Sequence, residues 1–524
     1  MHAGIGLRFR AVGRGGLAGW TATVCIALQG GCGGSNASSA STSGSSAAGS
    51  GANSSHSAGS TSTSAGSGSA GSSSAATFST PDGGFGSSGD GGACSASLAS
   101  RVRISEVDVG TTVSYNEVDT PLTPLAIAPL PNAGSRVGWM GTDGMAHVAT
   151  LDANDEVVTG SVFGLSAFDF QDIYADDAGG VVLVSRPSAA GGTDNCGTPA
   201  NLCGTPPSPA IPCYDMYMVR FDGASETWAA KLTDSDATHP PYLMGPTDPN
   251  NIVFIWWYAH NGRIGFDGSN YGAYFGAAIS VSQSGCVNIH QGDRLKIVSG
   301  AGEVQSGGFD WGCSHSGYER ILWDPTAKKF VAVCKNDAPT GGKSGRIAFA
   351  PNTTTIDPVD LDYSDLGSVT MAGNAGYWIV SSDIRAGQTA GADGLADVHL
   401  LHVPSTSTAT PDKDTLLVSD TENDRAPHLV PYGTSQMVAA WEESTKTGDL
   451  AQNDAARKMY IQVLDSTTGA PPSGSTTTSA GPLNVAVLGS RYQDFRAYPD
   501  GSVAYVAPGS SSTKLKILRV LGCQ

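Results

Sequence analysis

The sequence predicts an all-β protein: a β-propeller of seven blades that follows a disordered N-terminal tether. Short segments rich in apolar, β-branched and aromatic residues recur after residue 93, separated by Gly, Asp, Asn and Pro, whereas long stretches with a 3.6-residue period are scarce. One strand–turn–strand pattern returns seven times there, at spacings of roughly 40 to 75 residues. The first 92 residues have a different composition, so we divide the chain into segments 1–32, 33–92 and 93–524.

The first segment, residues 1–32, has the three regions of an export signal. Arg8, Arg10 and Arg14 are basic, Leu17–Leu28 is apolar, and small residues precede Cys32. The apolar run is too short to remain in a bilayer as a spanning helix. The sequence therefore predicts export.

The end of this signal, Leu28-Gln29-Gly30-Gly31-Cys32, resembles the lipobox of a bacterial lipoprotein precursor, although Gln29 stands where that family usually has Leu. The resemblance implies that Cys32 is lipidated and becomes the mature N-terminus. Gly33 follows the cysteine instead of Asp, and by the same resemblance this implies sorting to the outer membrane or cell surface. Ordinary signal cleavage would instead give a soluble periplasmic or secreted protein.

The second segment, residues 33–92, is a run of Ser, Gly, Ala and Thr with almost no charge. It has too few large apolar residues to offset the entropy of ordering, so we expect a disordered tether. About 60 residues of such coil have a root-mean-square reach of about 40 to 45 Å.

The charge of the chain argues against nucleic acid as a partner. The formal net charge is −18, and the three arginines of the signal are unmatched by any acid, which leaves 26 basic and 47 acidic residues, or −21, in the rest. A chain this acidic repels phosphate backbones. Divalent cations or cationic surfaces fit better, and acidity also keeps an exported protein soluble.

Eight of the ten cysteines follow the signal, and an even number in an exported chain predicts disulfides. The connectivity stays open, and the lack of paired C-x-x-C spacings argues against zinc. The candidates are Cys94, Cys196, Cys203, Cys213, Cys286, Cys313, Cys334 and Cys523.

The repeated pattern is a strand, a turn with Asp, Asn or Gly, and a strongly apolar second strand. The seven second strands are Val137–Met140, Val181–Val184, Ile252–Trp257, Phe330–Val333, Tyr377–Val380, Met437–Trp441 and Val503–Val506. Meandering sheets repeated at about 40 to 50 residues, with insertions, are typical of a propeller. Two sandwich domains would also fit so weak a repeat.

A ring must join its first and last segments. Cys94 lies just before the first predicted strand, Val102–Val107, and Cys523 lies just after the last. A Cys94–Cys523 disulfide would make that connection, and we state it as a hypothesis from position alone.

The segment from Trp256 to Asp324 is the densest in aromatic and polar residues, which is typical of ligand-binding loops. Stacking of a sugar or peptide on Trp and Tyr is the interaction we expect, although the same aromatics could be blade core. The ligand-binding candidates are Trp256, Trp257, Tyr258, His260, His290, Asp293, Arg294, Asp310, Trp311 and His315.

Signals for catalysis and for cofactors are weak. Gly312–Ser316 approaches a nucleophile elbow but lacks its final Gly, and no HExxH occurs, so we assign no catalytic residue and no metal site. Calcium is the only cofactor suggested, by acids that could instead be solvated loop residues: Asp357, Asp360, Asp362, Asp365, Asp393 and Asp397.

These observations favour a lipid-anchored surface protein that binds glycan or protein. A propeller-type hydrolase of extracellular polysaccharide and a structural envelope protein are the alternatives. An enzyme needs converging carboxylates, or a nucleophile and base, in a central pocket, whereas a binding module needs only aromatic and polar groups on an open face.

Overall fold

Strands account for nearly all regular structure in the computed structural model. The model describes residues 96–117, 122–187, 214–233, 253–254, 262–283, 286–313, 318–336, 346–351, 354–356, 365–373, 375–385, 394–408, 410–448 and 457–523. Two four-residue helices also occur, α1 (Leu98–Arg101) and α2 (Thr477–Ala480). None of the described helices has the length and apolarity needed to cross a membrane. The predicted signal and tether, with Cys32, lie outside these residues.

The strands form seven antiparallel sheets that follow one another along the chain. Blade 1, from inner to outer strand, comprises β2 (Ala126–Pro129), β3 (Ser135–Met140), β4 (Met145–Leu151) and β5 (Phe163–Ser166). Blade 2 comprises β6 (Asp169–Ala175), β7 (Gly179–Pro187), β8 (Tyr214–Asp222) and β9 (Ser225–Lys231). Blade 3 comprises β10 (Val253–Phe254) and β11 (Gly262–Phe266), both paired with β12 (Asn270–Gln283), then β13 (Cys286–Ser299) and β14 (Val304–Phe309).

The next three blades repeat the same order. Blade 4 comprises β15 (Glu319–Asp324), β16 (Lys329–Asn336), β17 (Arg346–Ala350) and β18 (Thr354–Thr355). Blade 5 comprises β19 (Asp365–Met371), β20 (Tyr377–Ile384), β21 (Ala396–Val403) and β22 (Lys413–Val418). Blade 6 comprises β23 (Asn423–Tyr432), β24 (Gln436–Ser444), β25 (Lys458–Asp465) and β26 (Leu483–Val485).

Blade 7 closes the ring with strands from both ends of the folded region. Its order is β27 (Arg496–Ala497), β28 (Val503–Pro508), β29 (Lys514–Val520) and β1 (Val102–Asp108). The outermost strand is therefore the first in sequence, and it pairs along its whole length with β29. The prediction of a seven-bladed propeller is confirmed.

The core lies between blades. The described residues form seven hydrophobic clusters, and each combines side chains of two neighbouring blades around the ring. In β7, Val181 and Leu183 face blade 3, whereas Val182 and Val184 face blade 1. Because successive side chains of a strand point to opposite faces, a strand buried on both faces has a continuous apolar run. This explains the apolar second strands that the sequence repeats.

Six of the seven predicted second strands are confirmed in that position, and the third differs. The described part of Ile252–Trp257 is β10, which pairs at the edge of β12, and β12 itself is the second strand of blade 3. In β12, large residues such as Tyr274 and Phe275 are interspersed with Gly and Ala. The apolar run of β12 is therefore interrupted, and for this reason the sequence pattern did not identify β12 as the second strand.

Two of the candidate cysteines are joined as Cys313–Cys334, with 6.3 Å between their Cα atoms. Cys523 is also disulfide-bonded. Cys94, Cys196, Cys203 and Cys213 lie outside the described residues, and Cys286 is described only in its backbone. The Cys94–Cys523 pairing stays a hypothesis, while β1 and β29 make the ring-closing connection described above.

Candidate functional site on the upper face

The seven inner strands begin at one end of the central channel, and we call that end of the ring the upper face. Their first residues are Ala126, Asp169, Gly262, Glu319, Asp365, Asn423 and Arg496. Five long segments of the chain are flanked by described strands that end or begin at this face. These segments are 188–213, 337–345, 357–364, 386–393 and 449–456. Five of the seven inner strands start with a polar residue, which makes the upper face the candidate site.

Charged side chains fill the channel below the upper face. Asp494, from the segment that leads into β27, accepts a hydrogen bond of 2.7 Å from Arg263 Nε of blade 3 and lies 3.6 Å from Arg320 Nε of blade 4. Across the channel, Arg496 Nη2 donates to both carboxyl oxygens of Asp172, at 2.7 and 2.6 Å. We call these five residues the channel cluster.

The channel cluster leaves little space and holds its charges in place. Burial raises the pKa of Asp494, but the charges of Arg263, Arg320 and Arg496 outweigh this effect and hold the pKa well below its ordinary value. Burial also lowers the pKa of Arg320 to about 10. The cavity beside this cluster has a volume of about 70 Å³, far below the roughly 300 Å³ at which ligand pockets begin. The channel is therefore closed by ion pairs.

A second group, the Asp365 cluster, lies where blades 4 and 5 meet the upper face. Asp365 Oδ1 accepts a hydrogen bond of 2.7 Å from the Tyr318 hydroxyl, and Arg425 and Arg491 approach its carboxylate at 3.6 and 3.8 Å. Tyr318 stacks on Tyr492 at 5.4 Å between ring centroids. The guanidinium of Arg491 lies 5.1 Å from the centroid of the Tyr492 ring. Aromatic rings and arginines are thus held together by one carboxylate.

The charge balance of the Asp365 cluster is positive. Lys335 Nζ lies 5.1 Å from the ring centroid of Tyr318, so three cations surround one acid. Burial raises the pKa of Asp365, but Arg425, Arg491 and Lys335 together lower it below its ordinary value. The carboxylate is therefore ionised at neutral pH, and the cluster carries a net positive charge within an acidic chain.

Two glutamates meet at one arginine between blades 6 and 7. Arg457 Nη1 lies 2.7 Å from Glu117 Oε1 and 3.4 Å from Glu442 Oε2, and Gly489 N donates to Glu442 Oε1 at 2.5 Å. Burial raises the pKa of Glu442 to about 8, with a further contribution from the charge of Glu117. Glu442 is fully buried, so its proton is out of reach of a ligand on the surface.

Four predicted ligand-binding residues lie together in blade 3. Asp293 is buried, accepts a hydrogen bond from Tyr274 and another of 2.7 Å from the Cys313 N–H, and burial raises its pKa to about 7. Arg294 is also buried, and its Nη2 donates to the exposed Asp310 at 2.7 Å. Trp311 packs on the cluster between blades 2 and 3. The hydrogen bonds described for Asp293 and Arg294 are thus made within blade 3, to Tyr274, Cys313 and Asp310.

The remaining ligand-binding candidates are not described in their side chains. Trp256, Trp257, Tyr258, His260 and His315 lie outside the described residues, the first four between β10 and β11. His290 belongs to β13, which pairs with β12 well past the start of β11. At this level β12 also pairs with β10 on its other side, through Val253 and Ile279. The prediction that these residues bind a ligand stays a prediction.

Two of the suggested calcium ligands are described, and arginines accompany both. Asp365 belongs to the cluster above, and Asp397 accepts hydrogen bonds from Arg385 at 2.9 and 2.6 Å. Asp357, Asp360, Asp362 and Asp393 lie outside the described residues. In the described part of the chain, one group has the spacing of metal ligands, Asp293 with Cys313 and Cys334, but the disulfide already uses both sulfur atoms.

Several residues of the upper face are absent from the predicted site. Arg425 lies on the inner strand β23 and Glu442 on the apolar second strand β24, whereas Arg491 and Asp494 lie in the run Arg491-Tyr492-Gln493-Asp494-Phe495-Arg496. This run of charged and aromatic residues directly before the last blade is a signal that could have found them. It places two residues, Arg491 and Tyr492, in the Asp365 cluster and two, Asp494 and Arg496, in the channel cluster.

Comparisons with known proteins give weak structural matches at low sequence identity. No protein-family model and no curated protein sequence matches the chain. Among solved structures, an α-L-arabinofuranosidase of Fusarium graminearum in complex with arabinobiose aligns with a TM-score of 0.35 and 12% identity, over 80% of this chain and 98% of that chain. The Aleuria aurantia lectin, a six-bladed β-propeller that recognises fucose, gives 0.30 and 10%, over 70% and 100%. An endo-arabinase of Bacteroides thetaiotaomicron gives 0.27 and 10%, over 60% and 89%. At these values the ligand has to be argued from the residues of the upper face.

Proposed function

We propose that this protein is a lipid-anchored surface protein whose propeller binds glycan at the upper face. The closed channel is the observation that carries the proposal. Asp494 and Asp172 are each ion-paired with arginine, and the space beside them is about 70 Å³. A sugar ring does not fit there, so we place the ligand surface on the open upper face.

The same observation favours binding over hydrolysis. Glycoside hydrolysis by paired carboxylates needs two accessible carboxyl groups about 5 to 10 Å apart, with the sugar between them. One described carboxyl pair on the upper face, Glu117 with Glu442, meets at a single cation, but Glu442 is fully buried. Tyr318 and Tyr492 are themselves buried beneath this face, and Arg491, whose side chain packs on both rings and is 13% exposed, supplies a hydrogen-bond donor of the kind that recognition uses.

A glycan array with the purified mature protein tests this proposal. We expect binding to a subset of the glycans, and no release of reducing ends when the protein is incubated with plant and bacterial polysaccharides. A release of reducing ends that Glu117→Gln abolishes would overturn the binding module in favour of a hydrolase. Binding to protein ligands alone, with no glycan bound, would also overturn it.

The anchor is a separate part of the proposal, and it depends on Cys32. We expect Cys32→Ala to move the protein from the membrane fraction to the soluble fraction and to remove the acyl mass from the mature N-terminus. Cys25→Ala, within the apolar run of the signal, is the matched control and should leave both unchanged. A wild-type protein that is already soluble and without acyl mass would contradict the anchor.

A further inference from the structure

A groove of about 410 Å³ lies between blades 6 and 7 on the upper face. It runs from the start of β25, at Arg457 and Lys458, past the end of β26 to Pro508 and Lys516 of blade 7. Its volume lies within the range of about 300 to 1,000 Å³ that small-ligand sites occupy. It is several times larger than the cavity in the channel.

The residues that line the groove have an unusual charge. Arg457, Lys458 and Lys516 are basic and none of the ten lining residues is acidic, although the chain as a whole carries −18. Glu117 already pairs with Arg457 at 2.7 Å, so Lys458 and Lys516 are the two cations that raise the local concentration of anions in this concave, partly apolar space. The groove is thus set up for a negatively charged group.

The two lysines are available to a ligand, whereas the arginine is fixed. The Lys458 side chain is 58% exposed, and Glu443 is 3.9 Å away, a distance at which an exposed pair contributes little. Lys516 Nζ lies 3.5 Å from the carbonyl of Ala486. Glu106, opposite Lys516 in the β1–β29 ladder, forms its ion pair with Lys514 at 2.8 Å. Arg457 is held by the two glutamates described above.

The rest of the lining suits the non-polar side of a sugar ring. Val485, Val487 and Pro508 contribute apolar side chains, and Leu488 is 45% exposed at the edge of the groove. Asn484 donates to the Met459 carbonyl at 3.2 Å, which orients its amide oxygen as an acceptor. Apolar contact with a few placed polar groups is the usual composition of a saccharide-sized site.

We propose that this groove binds a negatively charged sugar residue, with Lys458 and Lys516 holding its carboxylate or sulfate group. The inference rests on the proposed glycan-binding function and adds the class of glycan and the place where it binds. The apolar side of the groove contacts the ring, and the lysines select for charge.

Calorimetric titration of the mature protein with oligogalacturonate, and with the methyl ester of the same oligomer, tests the charge requirement. The ester lacks the negative charge of the acid and carries one added methyl group at each carboxyl, and we expect it to bind at least tenfold more weakly. A sulfated galactose oligomer distinguishes sulfate from carboxylate as the preferred group. Binding of the acid should weaken as salt is added.

Variants test the location. Lys458→Gln and Lys516→Gln should each weaken binding of the acid about 5- to 20-fold, whereas Lys328→Asn should not change it. Lys328 is exposed in a turn at the other end of the ring, and its φ of 51° suits Asn. Equal binding of acid and ester, or unchanged binding by both lysine variants, would overturn the inference and leave glycan binding standing. Failure of every glycan to bind would overturn both.

Discussion

Asp424, at the start of the inner strand of blade 6, is a fully buried acid without a hydrogen-bond partner in the described part of the chain. Burial raises its pKa to about 8, and the charges of Asp420, Glu443 and Asp397 add to the effect. It is therefore mostly protonated at neutral pH. Such a group makes the stability of the blade depend on pH.

The substitution Asp424→Asn should stabilise the protein at pH 8.5 by about 1 to 3 kcal/mol and change little at pH 5. Because the folded-state pKa is raised, the folded protein binds more protons than the unfolded chain between about pH 4 and 8, so wild-type stability falls as the pH rises through that window. Asn has no proton to lose. Urea midpoints at the two pH values measure the difference.

The control for this prediction is Asp177→Asn, at an exposed position of blade 2. It should stay within about 0.5 kcal/mol of wild type at both pH values. An Asp424→Asn variant with the same stability change at pH 5 and 8.5 would show that ionisation of this residue does not govern the stability of the blade.

Among the elements, β1 is the one on which the ring depends. It is the outermost strand of blade 7, and the main chain adds a further contact next to it, from Leu521 N to Arg101 O at 2.8 Å. One face of β1 packs into the core between blades 7 and 1 through Val107, which is buried, whereas Ile104 is 38% exposed. Substitutions at these two residues therefore distinguish the contribution of side-chain packing from that of backbone pairing in β1.

We expect Val107→Ala to lower the free energy of unfolding by about 1 to 3 kcal/mol, because it removes buried methyl groups and leaves a cavity. Ile104→Ala, on the same strand, should cost less than about 1 kcal/mol. Chemical denaturation followed by tryptophan fluorescence measures both. Equal losses at the two positions would mean that β1 contributes through pairing alone.

The elements differ in how far the sequence predicts them. Second strands such as β20 are apolar on both faces because both faces are covered by neighbouring blades, and their runs stand out. Inner strands such as β19 and β27 border the channel, are short or begin with charged residues, and look like loops. The role of β1 as part of the last blade depends on a pairing across the whole domain, which no local pattern encodes.

At the scale of the whole molecule, Asp494 connects blade 7 with the blades across the central channel. Its ion pairs reach Arg263 in blade 3 and Arg320 in blade 4, and both arginines are buried. A buried pair that loses one partner leaves the other charge uncompensated. The channel cluster therefore holds the ring together at its centre.

Asp494→Asn should destabilise the protein by about 2 to 4 kcal/mol at pH 7. The folded-state pKa of Asp494 is lowered, so its contribution is present above about pH 4 and is lost as the pH falls below that value. The gap between variant and wild type should accordingly narrow at pH 3. Urea unfolding at the two pH values measures it.

Glu226→Gln provides the comparison, since Glu226 also accepts from an arginine, Arg186, at 3.1 and 2.7 Å, but its side chain is 38% exposed and that of Arg186 is 18% exposed. An exposed pair of this kind should cost less than about 1 kcal/mol. If both variants lost the same amount, the stabilisation would come from charge pairing in general and not from the closed channel.

The site was less predictable than the fold for a physical reason. The blade pattern repeats locally, so each strand carries its own signal. The charged clusters combine residues such as Arg263 and Asp494, 231 positions apart in sequence, and only the closed ring brings them together. Asp365 was singled out from the sequence for its acidity, but the arginines that define its role come from other blades.

The closure of the ring by β1 also imposes a delay between the synthesis of this strand and its pairing with β29. Glu106 and Lys514, which form an ion pair across the β1–β29 ladder, are 408 positions apart. At about 5 to 20 residues per second, the ribosome makes the partner of β1 on the order of 20 to 80 s after β1 itself. During that interval the first strand has no neighbour, and an unpaired strand edge is open to pairing with other chains. The outermost strand of the last blade is thus the first strand to be synthesised, and it stays unpaired until the last strands of the ring have been made.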